Sequence, residues 1–144
     1  MPYEVLSHTA DSGIEATADT LPELIGVLAT GMFELMAPVQ PGKDGVAQDG
    51  AVDVEVEVEV DATTVEDLVV DILSDLLYES EAEDAILTDF DVTMVGPMSA
   101  RVTARGVPMP RADMVGPPIK AVTYHDLAVE ERGDGWFGRV IFDV

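Results

Sequence analysis

"AVDVEVEVEVD", residues 51–61, decides how the rest of the chain is read. Val52, Val54, Val56, Val58 and Val60 alternate with Asp53, Glu55, Glu57 and Glu59. A strand places successive side chains on opposite faces, so this stretch has one apolar face and one acidic face. That is the pattern of a half-buried antiparallel strand. Four carboxylates in a row resemble a cation site, but two-residue spacing along a strand separates them by about 7 Å. They read as a solvated acidic face.

The neighbouring segments change period. Upstream, in "DTLPELIGVLATGMFELMAPV", Leu21, Leu24, Ile25, Leu28, Met32, Leu35 and Met36 recur at helical spacing. Thr20 with Glu23 forms a capping box, Pro22 is tolerated in a first turn, and Pro38 and Pro41 stop the helix. A helix is expected from about 21 to 36, followed by a loop over "PGKDGVAQDG". Downstream, "TTVEDLVVDILSDLLYE" predicts a second helix, with Val65, Leu68, Val69, Ile72, Leu76 and Leu77 inward and Thr63–Glu66 as its capping box. Asp67, Asp71 and Asp75 follow one outward stripe, where like charges destabilise a helix slightly.

The flanks read as strands. "YEVLS" (3–7) and "GIEATA" (13–18) bracket the turn-like "HTADSG". "ILTDFDVTMV" and "MSARVTARGV" form a hairpin around Gly96-Pro97, and "PMPRADMVGPP" is a loop. "IKAVTYHDLAVEE" and "WFGRVIFDV" flank the tight turn "RGDG". The order strand, strand, helix, strand, helix, four strands gives an α+β fold. The expected architecture is a two-layer sandwich, one mixed β-sheet with two α-helices packed on one face, in a single domain over residues 1–144.

Composition limits the function. A hydrophobic content of 47% over 144 residues supports a folded core and argues against disorder. No apolar run is long enough to span a membrane and no signal core is present, so a soluble, cytoplasmic protein is expected. The absence of cysteine removes disulfides, thiolate metal sites and thiol catalysis. Twenty-nine acids face seven bases, a net charge of −22, which disfavours direct contact with nucleic-acid phosphate. Acids spread over a folded surface repel one another at low salt. Molar salt, with a Debye length of about 3 Å, relieves the repulsion, so a halophilic acidic surface is expected.

No phosphate-binding glycine loop and no nucleophile elbow is present, so a self-sufficient nucleotide enzyme is not expected. Three stretches stand apart from the patterning. "HTADSG" places His8 and Asp11 in a short turn. "KAVTYH" places Lys120 and His125 in or beside an apolar strand. "FDV" sets Asp143 one residue before a terminal carboxylate at Val144. Clustered oxygen donors without cysteine suit hard divalent cations. Each residue also has a structural role open to it. The histidines serve as hydrogen-bonding groups, Asp11 as a turn cap and Lys120 as an edge-strand residue.

Together, "YEVLSHTADSGIEA", "LPELIGVLATGMFELM", "DLLYE", "IKAVTYHDL" and "VIFDV" resemble the archease family end to end and in order. Ser7 departs from the acidic residue the family commonly carries before the histidine. The resemblance implies an accessory protein and not an enzyme. Its partner would be an RtcB-type tRNA-splicing RNA ligase, whose histidine guanylylation, multiple turnover and nucleotide range it would promote. It also implies a divalent metal, Ca²⁺ foremost with Mg²⁺ or Mn²⁺ as alternatives, held at Asp11, Asp143 and Val144. Lys120 would be a further functional residue, while His8 and His125 lie in matched motifs without assigned roles. The alternative reading is a non-catalytic, chaperone-like acidic module for another basic protein. A small metal-dependent hydrolase is a third reading, which would require turnover by the isolated protein.

Overall fold

A computed structural model describes residues 3–7, 11–37, 54–109 and 118–144. The expected loop over 41–50 and most of the proline-rich loop lie outside the described residues. The elements are β1 (Tyr3–Ser7), β2 (Asp11–Ala18), α1 (Leu21–Met36), β3 (Val54–Asp61), α2 (Val65–Glu83), β4 (Ala85–Gly96), β5 (Ser99–Pro108), β6 (Ala121–Val122), β7 (Ala128–Arg132) and β8 (Gly135–Asp143). The α+β class and its two helices are as the sequence implies.

The strands divide differently from expectation. Instead of one mixed sheet, the described strands make two sheets in which every pairing is antiparallel. One runs β1-β2-β8-β6, with β7 also on β8, and the other runs β3-β5-β4. The physical reason lies in the helices. α1 packs on β1, β2 and β8 of the first sheet and on β4 of the second, while α2 packs on β3, β4 and β5 and reaches β6 and β7. Each helix thus covers apolar faces from both sheets, and no strand needs to join them. The inner residues form one cluster that includes Ile14, Leu24, Phe33, Val56, Leu76, Val102 and Phe142.

Both helix starts follow from local chemistry. The Thr20 side chain accepts from the Glu23 N–H at 3.3 Å, and Glu23 returns a carboxylate to the Asp19 N–H at 3.2 Å. The return reaches one residue beyond the cap. In α2 the cap is Thr64, which accepts from the Asp67 N–H at 3.1 Å, one position later than the Thr63–Glu66 box read from the sequence. α2 also runs four residues past the expected end, to Glu83. Asp84 closes it in a left-handed conformation (φ 50°), and the Ser80 hydroxyl donates to Ala85 O at 2.5 Å.

β3 keeps its alternation, with Val54, Val56, Val58 and Val60 buried and their acidic neighbours exposed. On its solvent face Glu57 and Glu59 meet Arg101 of β5 at 3.2 and 3.8 Å. The "RGDG" turn is a two-residue hairpin, since Arg132 and Gly135 pair directly and Gly133 carries the positive φ.

Two glycines make opposite predictions. A Cβ on Gly106, on the central strand β5, would stand 2.0 Å from Ile86 O, a backbone atom that cannot step aside. Gly106→Ala is expected to destabilise the fold by about 3 kcal/mol or more, read as a lowered urea midpoint. Gly26, inside α1, has nothing within 4 Å of its Cβ position. Gly26→Ala is expected to stabilise the fold by up to about 1 kcal/mol, read as a raised urea midpoint.

Candidate functional site

The end of β8 brings together three of the stretches singled out in the sequence. Asp143 pairs with Asp11 of β2 on one side and with Ala121 of β6 on the other. β2 begins at Asp11, so that residue is the first of a strand and not part of the preceding turn, as had been expected. Directly opposed positions of an antiparallel pair hold their Cβ atoms about 4.5–5.5 Å apart. Two aspartates at such positions repel unless a proton or a cation neutralises them.

Packing fixes this end. Val140 and Phe142 are fully buried and Val144 packs partly buried against the same core, while Asp143 between them is exposed. Ile141, on the same face as Asp143, is buried too, so the strand is anchored on both faces up to its last residue, whose carboxylate reaches solvent. Beneath it Ile141 lies so close to Gly13 that a Cβ there would come within 2.6 Å of its Cδ1.

The "KAVTYH" stretch is stitched to the same strand by its backbone. The Lys120 N–H donates to Asp143 O at 2.7 Å, and both the N–H and the hydroxyl of Thr123 donate to Ile141 O, at 3.0 and 2.9 Å. The Lys120 side chain is exposed just before β6. His125 sits beyond β6 in an exposed turn, its N–H donating to Thr123 Oγ1 at 3.2 Å and its Nε2 3.4 Å from Asp126 Oδ2. The expectation that His125 lies in or beside an apolar strand gives way to a turn position, where Asp126 takes a left-handed φ of 52°. His8 lies outside the described residues, as does the side chain of Asp11. Among the described residues no group of three His, Asp or Glu side chains is placed to hold a metal ion.

One contact was missed in the sequence. The Tyr124 hydroxyl donates to Asp67 Oδ1 at 2.6 Å, tying the "KAVTYH" segment to the first turn of α2. The bond to the Asp67 carboxylate, with lesser contributions from desolvation and from the charges of Asp67 and Asp71, pushes the phenol up to about 12. Its only signal was a tyrosine inside a motif chosen for its lysine and histidine.

Comparison with known proteins identifies the family. The model of the Archease protein family (MTH1598/TM1083) matches residues 3–144. Protein archease of Methanosarcina acetivorans is 34% identical over 99% of this chain and 95% of its own length. That of Pyrococcus furiosus is 30% identical over 99% and 98%. Among solved structures, protein 1598 of Methanobacterium thermoautotrophicum superposes with a TM-score of 0.81 at 24% identity, covering 99% of both chains. An archease of Thermotoga maritima, described as a possible chaperone, superposes at 0.63 and 23% identity, over 96% of this chain and 94% of its own. With a family match across nearly its whole length and relatives above 30% identity, the chain belongs to the archease family.

Proposed function

We propose that this protein is the non-catalytic activator of an RtcB-type RNA ligase, promoting guanylylation of the ligase histidine, repeated turnover and use of a wider range of nucleotides. The observation that carries the reading is the register that sets Asp11 and Asp143 opposite each other, with Lys120 bonded through its backbone to the same residue. In this reading Asp11, Asp143 and the main-chain oxygens of Val144 hold a divalent cation, Ca²⁺ foremost with Mg²⁺ or Mn²⁺ as alternatives. All three supply hard oxygen donors, and aspartates at opposed strand positions suit a cation that offsets their charge. Bound there, the ion would supply positive charge at the tip. The chain's own part is to present that tip at a strand end, with Lys120, bonded to it through its backbone and exposed in its side chain, available to meet a phosphate or a ligase carboxylate.

A second reading, a chaperone-like acidic module holding another basic protein, draws support from the description of the Thermotoga relative. The two differ in where mutations matter. The module predicts similar effects from charge reversal anywhere on the surface, whereas the activator localises them to the tip.

Labelling of the matching ligase with GTP and a divalent metal is the direct test. The natural protein is expected to accelerate labelling. Asp143→Ala, and a variant extended by two glycines after Val144, are expected to return the rate to that of the ligase alone with unchanged circular dichroism. Equal acceleration by both variants would remove the tip from the mechanism, and turnover of nucleotide by the isolated protein would favour a hydrolase. Separately, a cytoplasm rich in salt suits a net charge of −22. The urea midpoint is expected to rise between low and molar KCl as repulsion is screened, and equal midpoints would refute the halophilic reading.

A further inference from the structure

β4 is an edge strand of the three-stranded sheet. Among the described residues it pairs only with β5, so its other edge offers unpaired backbone groups. Its inward residues are also incompletely packed. Phe90 stacks on Phe33 of α1 at 5.7 Å, yet Phe90 and Val92 both remain partly exposed. Between them and α1 runs a groove of about 350 Å³, floored by Gly26, Val27, Phe90 and Val92. Gly26 deepens it, because the space beside its Cβ position is empty.

The charged residues that line this groove are both acidic. Glu23 and Asp89 line it, and Asp89 and Asp91 alternate with Phe90 and Val92 along the outer face of β4. Arg105 of β5 reaches Asp89 at 3.3 Å and is the only basic residue with a salt bridge to the strand among the described residues. We propose that the β4 edge and the α1–β4 groove receive an extended segment of a partner protein in which apolar and basic residues alternate. Such a segment continues the β3-β5-β4 sheet by strand addition. Its inward side chains fill the groove over Gly26, and its outward ones stand across from Asp89 and Asp91, where opposite charges stabilise and like charges destabilise. The same acids disfavour a second copy of this chain at the edge, since two β4 strands would bring carboxylates together. Nucleic-acid phosphate is repelled for the same reason.

The test uses the full chain and a synthetic peptide alternating valine and lysine, with a valine–glutamate peptide as its control. The lysine peptide is expected to bind and to slow amide hydrogen exchange along β4, while the glutamate peptide does not bind. Gly26→Leu, whose Cβ position is open in the free protein, is expected to retain the fold and to weaken binding roughly tenfold or more by filling the groove. Asp89→Lys with Asp91→Lys is expected to abolish it. The proposal is overturned by no binding, by protection on β3 instead of β4, or by equal binding of both peptides. An unchanged affinity for Gly26→Leu would also overturn it, as would β4 edge amides already protected in the free protein.

Discussion

The fold depends on β8. This strand pairs with β2 along one side and with β7 and then β6 along the other, so among the described strands of its sheet it gathers three partners. Its residues Val140 and Phe142 enter the central cluster, and Gly138 lets the leucines of α1, Leu24 and Leu28, approach to just over 3 Å of where a Cβ would be. Remove that strand and β2 loses its inner partner, β6 and β7 lose their only partner among the described residues, and α1 loses part of its floor. Hydrophobic burial supplies most of the stabilisation here, with backbone pairing fixing which residues meet.

Much of this was legible because burial writes itself into periodicity. The valine–glutamate alternation of β3 and the helical spacing of α1 correspond to the observed buried faces almost residue for residue. Phe33 escaped the α1 reading, although its ring is fully buried against Phe90, because it falls at the margin of the stripe. The division into two sheets was not legible. A period of two states which face of a strand is apolar but is silent about its neighbour, and that choice is made by helices packing on both sheets at once. The Thr64 cap was misplaced by one residue because adjacent threonines offer the same hydroxyl, and only the backbone conformation selects between them.

The candidate tip shows the same division. Its members were recognisable as residues that interrupt the pattern: an aspartate in an apolar strand, a lysine where bases are scarce. Their convergence required the register of β2 on β8 and of β6 on β8, which local sequence does not encode. Tyr124 was passed over because a hydroxyl on an apolar ring fits either a core or a surface, and only its contact with Asp67, far away in the chain, gives it a role.

The antiparallel pairing of β2 with β8 has a consequence for how the molecule is made. The bond between Glu15 and Arg139 joins residues 124 positions apart. Loops of that length close late, because their entropy must be spent before any contact between the ends is gained. The helices and the β4–β5 hairpin rest on near neighbours and can form first. During synthesis the first strands must wait, exposed and unpaired on their inner edge, until the last strand arrives. The abundant carboxylates, Glu4 and Glu15 among them, then serve a second purpose. They keep waiting edges from pairing with other chains until their own partner is complete.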